Sequence, residues 1–200
     1  LGEILIDKRL DPDEVLGLDC GGCGLCVASC PTGALERPYE LNPHLCVSYL
    51  TQRGGFIPRE LRTKLGNFIY GCDVCQEVCP LNKSSTEVEA GSVDRAFPVL
   101  TDLLTPGAIR RRYGSSALSW RSPSTIIRNV VIALGNLGAE EAVCSLVQCL
   151  DSRSPVVRAH TAWALGRIGG KQAREALSCA WHRELDPVVK EELELALEGR

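Results

Sequence analysis

Apolar residues recur at helical spacing through the second half of the chain. Between residues 126 and 150 they fall three or four positions apart, which places them on one face of each of two successive helices. These positions are Ile126, Val130, Leu134, Leu137, Val143, Leu146, Val147 and Leu150. The pattern therefore predicts a pair of amphipathic helices.

The helix pairs repeat along the chain. Residues 133–135 (Ala-Leu-Gly) recur 31 positions later at 164–166, and residues 155–158 (Pro-Val-Val-Arg) recur 32 positions later at 187–190 as Pro-Val-Val-Lys. Stacked units of two short helices are typical of HEAT-like solenoids. We predict two full units and a final half unit, with the acidic last helix as a polar cap.

The first half of the chain carries shorter elements. Residues 34–36 and 39–41 flank Arg37-Pro38, which predicts a hairpin. Asn42 followed by Pro43 is a helix start signal, with asparagine as the cap and proline at the first helical position. The remaining predictions are a strand at 1–6, a helix from Asn42 through Cys46 to Gln52, a helix at 58–65, a helical turn at 73–78, a linker at 83–91, and helices at 97–104 and 107–113.

Eight of the eleven cysteines lie between residues 20 and 79, in two runs that both end in C-x3-C-P. The first run has the spacing C-x2-C-x2-C-x3-C-P, with which bacterial ferredoxins hold two [4Fe–4S] clusters. Three closely spaced thiolates reach three corners of one cube, and the next cysteine ligates the other cluster. The chain is therefore predicted to transfer single electrons.

The crossing of the last cysteine in each run fixes two ligand sets. The first cluster takes Cys20, Cys23, Cys26 and Cys79, and the second takes Cys30, Cys46, Cys72 and Cys75. Cys46 is the least regular ligand, because 25 residues separate it from Cys72.

Two other uses of these cysteines compete with iron–sulfur clusters. A zinc site takes four thiolates, often as two C-x2-C pairs, but the extra cysteine at Cys26 and the two C-x3-C-P endings do not fit that pattern. A disulfide framework needs a secreted chain, and no signal peptide is visible.

Composition limits the partners and the location. The formal charge is −3, and two oxidised clusters with their thiolates would add about −4, so nucleic-acid binding would require a local basic patch. No apolar run approaches the ~20 residues that span a bilayer. Many cysteines without a visible export signal favour a reducing compartment, the cytoplasm. The chain contains no methionine, so we expect a fragment whose upstream domain is missing.

The fold class predicted from these features is α+β to mostly α. It consists of a ferredoxin-like two-[4Fe–4S] module followed by a short all-α HEAT-like repeat domain. We assign residues 1–19 to the end of a missing N-terminal domain, 20–83 to the cluster module, 84–121 to a helical linker region and 122–200 to the HEAT-like repeats.

Several short segments resemble the epoxyqueuosine reductase family, as the C-terminal portion of such a protein. Ser-Tyr-Leu-Thr at 48–51 and Tyr-Gly-Cys-Asp at 70–73 are more specific than the cysteine spacing. The matching segments are 30–35 (Cys-Pro-Thr-Gly-Ala-Leu), 46–51 (Cys-Val-Ser-Tyr-Leu-Thr), 57–58 (Ile-Pro), 60–62 (Glu-Leu-Arg), 66–67 (Gly-Asn), 69–76 (Ile-Tyr-Gly-Cys-Asp-Val-Cys-Gln) and 79–82 (Cys-Pro-Leu-Asn).

The resemblance implies an enzyme that reduces epoxyqueuosine in a tRNA anticodon loop to queuosine, with cobalamin and two [4Fe–4S] clusters as cofactors. In that family the corrinoid lies mainly on an N-terminal domain, which also supplies the proton-donating acid, so we place no catalytic residue in this chain. The HEAT tail contributes to gripping the tRNA. We further expect a cytoplasmic monomer with no membrane contact that takes electrons from a donor such as flavodoxin or ferredoxin.

Two sets of contact residues follow from the resemblance. Ser48, Cys72 and Asp73 lie beside second-cluster ligands and are predicted to touch cobalamin, although Ser48 and Asp73 could instead cap helix ends. Cationic side chains are predicted to bind tRNA phosphates, although a solvated helix face would carry the same charges. These residues are Arg53, Arg110, Arg111, Arg112, Arg121 and Arg128.

The other chemically distinctive residues are predicted to be structural. We expect the three tryptophans to pack between helices, the three remaining cysteines to fill the helical core, and the two histidines of the tail to be structural or surface residues. These are Trp120, Trp163, Trp181, Cys144, Cys149, Cys179, His160 and His182.

Other function classes explain part of the sequence. A ferredoxin-type electron carrier accounts for the cysteines but not for the inserted segment 48–71 or the repeats. A reductive dehalogenase also pairs a corrinoid with two cubane clusters, but it would carry an export signal and no HEAT tail. A non-enzymatic scaffold would use the clusters only for structure.

Overall fold

The computed structural model describes residues 3–15, 17, 19–85 and 100–199. Residues 3–6 form no strand, and the first two residues of the predicted entry strand lie outside the described part. Most of the predicted linker (residues 86–91) and the start of the predicted helix at 97–104 also lie outside it. In the part of the chain that the structure describes, no helix is both long and apolar enough to cross a bilayer.

The cluster module is built from short elements. The helices are α1 (Leu25–Ser29), α2 (Val47–Gln52), α3 (Arg59–Arg62) and α4 (Val74–Glu77), with 3₁₀ turns at Thr63–Leu65 and Pro80–Ser85. Strand β1 (Leu35–Arg37) pairs antiparallel with β2 (Glu40–Leu41), which confirms the hairpin. Helix α1 packs against α4, so the two cysteine runs meet although they are distant in sequence.

The helix predicted to begin at Asn42 begins only at Val47, so this prediction is wrong at its start. The Asn42 side-chain oxygen accepts a hydrogen bond from the backbone N–H of His44 at 3.1 Å, which closes a local turn instead of capping a helix. Cys46 then has an extended conformation, with ψ 123°, and stands at the N-cap of α2. Cys46 therefore precedes the helix that was predicted to carry it.

The second half is helical. A 3₁₀ turn (Leu100–Leu104), α5 (Pro106–Tyr113) and a second 3₁₀ turn (Ala117–Trp120) lead into the repeats. The repeat helices are α6 (Pro123–Leu137), α7 (Val143–Cys149), α8 (Pro155–Ile168), α9 (Lys171–Arg183) and α10 (Pro187–Leu197), with a 3₁₀ turn at Glu140–Ala142 before α7. Helix α8 packs between α6 and α10, while α7 and α9 lie behind them. This is the predicted stack of two pairs and a final half.

The glycine of each Ala-Leu-Gly motif explains why the motif recurs. A Cβ on Gly135 would stand 2.9 Å from the Ala164 Cβ, and one on Gly166 would stand 2.8 Å from the Ala196 Cβ. Real Cβ contacts are essentially never that short, so each glycine permits close approach of the next helix in the row. The repeated motif is therefore a packing device between α6, α8 and α10.

The predictions for individual packing residues are partly wrong. Trp163 is buried, but Trp120 is 79% exposed and does not pack between helices. Cys149 is buried as predicted, whereas Cys144 and Cys179 are exposed. Cys144 and Cys179 lie on the exposed faces of α7 and α9, and Trp120 lies in a turn before the repeats.

Candidate metal centre

The predicted ligands of the second cluster lie near enough to one another to interact electrostatically, although among the described residues no three such side chains stand close enough to hold one metal ion. Burial raises the pKa of the Cys72 thiol, and the neighbouring thiols of Cys75, Cys46 and Cys30 raise it further. This mutual influence requires the four sulfurs to be close together, although they come from three separate segments. All four are free of disulfides and half-buried. Their assignment to one cluster stays a prediction from the cysteine spacing.

Hydrogen-bond donors surround the sulfur of Cys30. Burial alone would raise the pKa of this thiol, but backbone and side-chain hydrogen bonds outweigh that effect and lower it. The backbone N–H of Ala34 donates to Sγ at 3.2 Å, and the Thr32 hydroxyl lies 3.7 Å from it. The site therefore stabilises negative charge on this sulfur, as a cluster-bound thiolate requires.

Replacing Thr32 with valine is expected to lower the reduction potential of the second cluster. Thr32 is buried, so valine fills the same space but donates no hydrogen bond to the Cys30 thiolate, and the more negative reduced cluster loses stabilisation. A hydrogen bond worth about 1 kcal/mol corresponds to a shift on the order of tens of millivolts. An EPR-monitored redox titration measures the shift, and the first cluster in the same sample serves as the control. Equal potentials in both proteins would show that this hydroxyl does not tune the cluster.

The predicted ligands of the first cluster are more open to solvent. Cys20 and Cys23 are exposed, while Cys26 and Cys79 are half-buried. The backbone N–H of Cys20 donates to Oδ1 of Asp19 at 2.7 Å, and the hydroxyl of Tyr39, which lies in the hairpin turn, also hydrogen-bonds to that carboxylate. These contacts attach the Cys20 loop to the hairpin.

In the part of the chain that the structure describes, the thiols of neither predicted ligand set are arranged around one metal ion. Among the residues described, no three His, Cys, Asp or Glu side chains stand close enough to hold a metal ion. Packing of α1 on α4 directs Cys26 and Cys79 to the same region of the module. The first ligand set therefore stays a prediction from spacing.

The inserted segment between Cys46 and Cys72 is fastened to helix α6 by polar side chains. The Arg128 guanidinium donates to the carbonyls of Leu50 (2.8 Å) and Gly55 (2.6 Å). The Asn129 amide donates to the carbonyls of Thr51 and Ile69, both at 2.7 Å. Most of these carbonyls lie a few residues from Cys46 or Cys72, so α6 holds together the two segments that carry these predicted second-cluster ligands.

A further hydrogen bond joins the two segments directly. The backbone N–H of Gly71 donates to the Thr51 hydroxyl at 3.0 Å, and Thr51 is fully buried. Gly71 has φ +75°, a conformation that glycine adopts without strain. The Ser-Tyr-Leu-Thr and Tyr-Gly-Cys-Asp segments are thus structural partners that place Cys72 beside α2.

The last repeat helix also binds the inserted segment. The Arg62 guanidinium forms two parallel hydrogen bonds to the Glu192 carboxylate, at 2.8 and 2.6 Å, and both side chains are almost fully buried. Arg59 contacts the same carboxylate from a more exposed position. The acidic residues of α10 therefore do more than form a polar end to the repeats, because Glu192 forms an ion pair with Arg62 of the cluster module.

His160 of α8 is a buried structural residue in this interface. Its Nε2 accepts the backbone N–H of Ile57 at 3.1 Å, so its Nδ1 carries the proton and donates to the Val156 carbonyl at 2.7 Å. Burial, followed by the positive charge of Arg62, lowers the pKa of His160 from its ordinary value of 6.5 to about 3. The folded protein therefore holds a neutral imidazole at this position.

Acidification is expected to weaken the interface through His160. The unfolded chain protonates this residue near pH 6.5 and the folded protein only near pH 3, so stability is full above pH 6.5 and is lost as the pH falls. Between pH 7 and pH 5 the loss attributable to His160 is about 2 kcal/mol. Guanidinium unfolding at both pH values measures it. His160→Gln keeps a donor and an acceptor without titrating, so it should remove this increment; an unchanged pH slope in that variant would contradict the assignment.

An open groove of about 360 Å³ lies beside Cys46. Ser48, Arg53 and Arg121 are among its lining residues, and the Arg121 guanidinium donates to the Gln52 side chain at 3.3 Å. One predicted cobalamin residue and two predicted RNA residues therefore share a surface with a second-cluster ligand.

The other predicted contact residues are dispersed. Asp73 is exposed and makes no side-chain capping bond to α4, which removes one structural role for it. The Ser48 hydroxyl accepts a hydrogen bond from Gln52 at 3.1 Å, inside its own helix. Three arginines are exposed on α5, outside the groove: Arg110, Arg111 and Arg112.

The prediction that Arg128 binds RNA is wrong. Its side chain is fully buried, and its guanidinium is occupied by backbone carbonyls and by the Asn129 side chain. Burial, and next the charge of Arg53, lowers the pKa of Arg128 to about 10. The physical reason is that most of α6 is buried. A guanidinium there donates hydrogen bonds to backbone carbonyls and is not available to a phosphate.

Two family models match separate parts of the chain. The 4Fe-4S double cluster binding domain matches residues 19–82, and HEAT repeats match residues 115–198. Together with the helical repeats of the structure, these matches confirm the predicted fold class.

Curated relatives align with nearly the whole chain. An epoxyqueuosine reductase of Bacillus cereus is 40% identical over 206 aligned positions, which cover 99% of this chain and 54% of that protein. The Escherichia coli epoxyqueuosine reductase is 37% identical, with 84% of this chain and 46% of that protein covered. An uncharacterised protein of Geobacillus stearothermophilus is 39% identical and is covered over 95% of its length. The chain spans about half the length of the curated reductases it matches.

Solved structures agree with the sequence matches. A crystal structure of epoxyqueuosine reductase with an epoxyqueuosine-modified tRNA-Tyr stem loop superimposes with a TM-score of 0.87 and 38% identity, covering 94% of this chain and 52% of that one. The Streptococcus thermophilus epoxyqueuosine reductase superimposes with a TM-score of 0.82 and 31% identity, covering 96% and 53%.

Proposed function

Because the chain belongs to the epoxyqueuosine reductase family, we propose that it forms the electron-relay portion of an enzyme that reduces epoxyqueuosine in tRNA to queuosine. The observation that carries this proposal is the docking of the inserted segment. A ferredoxin-type carrier needs no such segment, whereas here it joins Cys46 and Cys72 to the helices of the HEAT domain. The predicted second cluster is thereby attached to the helices of the HEAT domain.

In this proposal electrons enter at the first cluster and leave from the second. Cys20 and Cys23 are exposed, which favours approach of a small donor protein such as flavodoxin or ferredoxin. The predicted second-cluster ligands are half-buried, and one of them, Cys46, lines the groove, so the second cluster is the one that would face the substrate side. The clusters supply single-electron transfer when they are bound.

The groove beside Cys46 is the surface we propose for cobalamin, which would supply the reductive chemistry of the enzyme when bound. At about 360 Å³ the groove is near the lower limit for small-molecule sites. Its size fits one edge of a corrin ring. Ser48 lines the groove, and Cys72 and Asp73 lie at the start of α4; these residues would orient that edge, and the rest of the cofactor would need protein beyond this chain.

The tRNA backbone is proposed to bind half-buried Arg53 and the exposed arginines Arg110, Arg111, Arg112 and Arg121. Arg53 and Arg121 line the groove, and the arginines of α5 extend the positive charge away from it. Phosphate contacts of this kind position an RNA without reading its sequence. The RNA would then lie on the same face as the second cluster. We also propose that the protein is a cytoplasmic monomer.

The test uses the full-length translation product that contains this sequence. It is reconstituted anaerobically with iron and sulfide, supplied with cobalamin and a reductant, and incubated with tRNA that carries epoxyqueuosine. Nucleoside mass spectrometry is expected to show queuosine only when cobalamin and reductant are both present. A fully loaded protein that binds cobalamin and leaves epoxyqueuosine intact would exclude this function.

A further inference from the structure

The exposed side chain of Trp120 has no role in the packing of the fold. Trp120 ends the 3₁₀ turn Ala117–Trp120 and leaves 79% of its surface open. Trp163, by contrast, is buried between helices and receives the guanidinium of Arg167 over its ring at 5.3 Å. A single exposed apolar side chain is ordinary by itself, but the turn that carries Trp120 packs against a basic helix.

The surroundings of Trp120 are strongly positive. Residues 100–121 hold four arginines and one aspartate, and the turn that carries Trp120 packs against α5, which bears three of those arginines. The next residue, Arg121, lines the groove beside Cys46 and hydrogen-bonds to Gln52. Trp120 therefore lies in a turn that packs on the basic helix α5, and the residue after it lines the groove.

We propose that Trp120 is a stacking platform for an unpaired base of the RNA substrate. This inference rests on the proposed function and adds to it a residue that contacts a base rather than a phosphate. Single-stranded RNA loops expose bases that stack on aromatic side chains, while neighbouring cations hold the backbone. The combination of ring and arginines is the one that such a loop requires.

The charge pattern favours RNA over a protein partner at this surface. Tryptophan and arginine are both enriched at protein interfaces, but residues 100–121 hold four arginines against one aspartate, and such an excess of cations fits a polyanion such as RNA. A structural relative was crystallised with a tRNA stem loop. The principal rival occupant is another part of the full-length protein, which would bury the ring before any RNA arrives.

The experiment compares variants of the reconstituted full-length protein. Binding of a fluorescein-labelled, unmodified anticodon stem-loop RNA is measured at several salt concentrations. Trp120→Ala is expected to weaken binding roughly 5- to 100-fold with an unchanged salt slope, because stacking is uncharged, and Trp120→Phe should retain most of the affinity. Charge reversal of Arg111 and Arg112 should weaken binding and also flatten the salt dependence. Leu185→Ala is the matched control, because it removes a different exposed apolar side chain (Leu185 is 94% exposed) and should leave RNA binding unchanged.

The outcomes separate this inference from the proposed function. RNA binding that survives in Trp120→Ala but falls on charge reversal would overturn the stacking role and leave the function intact. A wild-type protein that binds no RNA would count against both. Tryptophan fluorescence gives a second readout, since RNA should quench wild-type protein more than Trp120→Phe. If acrylamide cannot reach Trp120 in the RNA-free protein, the ring is covered by protein and the inference is wrong.

Discussion

Replacing Cys30 with alanine is expected to remove the same cluster as replacing Cys72, although the two residues lie in different runs. The prediction comes from the crossed ligand assignment, and it agrees with the proximity of Cys30, Cys46 and Cys75 to Cys72. Each variant should retain about four of about eight irons and the same remaining EPR signal. Alanine is the better replacement, because a serine oxygen could still bind iron.

The matched controls are alanine variants of the first ligand set. Cys20→Ala and Cys79→Ala should both lose the other EPR signal and keep the one that Cys30→Ala removes. On the proposed function, all four variants of the full-length protein should also lose queuosine formation down to the assay background, because either loss would interrupt the proposed electron transfer. If Cys30→Ala grouped with Cys20→Ala instead, the crossed assignment would be wrong.

Replacing Glu192 with alanine is expected to destabilise the protein by about 3–5 kcal/mol. Glu192 is buried and accepts two hydrogen bonds from the buried guanidinium of Arg62. Removing one partner of a buried ion pair leaves the other charge uncompensated, and that penalty exceeds the net value of the pair. Guanidinium unfolding of the reconstituted protein, followed by circular dichroism, measures the change.

Two comparisons sharpen the Glu192 prediction. Glu191→Ala removes an exposed carboxylate from the same helix and should change stability by less than about 0.5 kcal/mol. The double variant Arg62→Met, Glu192→Leu replaces the pair with apolar groups and should be far more stable than Glu192→Ala alone. A loss below about 1 kcal/mol in Glu192→Ala would show that α10 does not depend on this ion pair.

The repeat architecture was predictable because its signals are local. Apolar spacing and the recurrence of Ala-Leu-Gly fall within single repeats, and the structure explains the motif by the close approach at Gly135 and Gly166. The start of α2 was not predictable, because the Asn42 side chain stabilises a turn as readily as a helix cap.

The interface between the two halves was missed because its partners are distant in sequence. Arg128 was assigned to the surface from its charge alone, yet it interrupts an apolar run, and Asn129 and Asn136 lie two helical turns apart on one face of α6. Buried polar groups of this kind need hydrogen-bond partners. The partners are carbonyls some 60–78 residues away, which no local pattern specifies.

The most direct measurement of the central claim is metal and sulfide analysis of the anaerobically reconstituted protein. Two cubane clusters predict about eight irons and about eight sulfides per chain, no stoichiometric zinc, and an absorbance that dithionite bleaches reversibly. A preparation that binds zinc at these cysteines, or only about four irons under conditions that saturate the protein, would contradict the account.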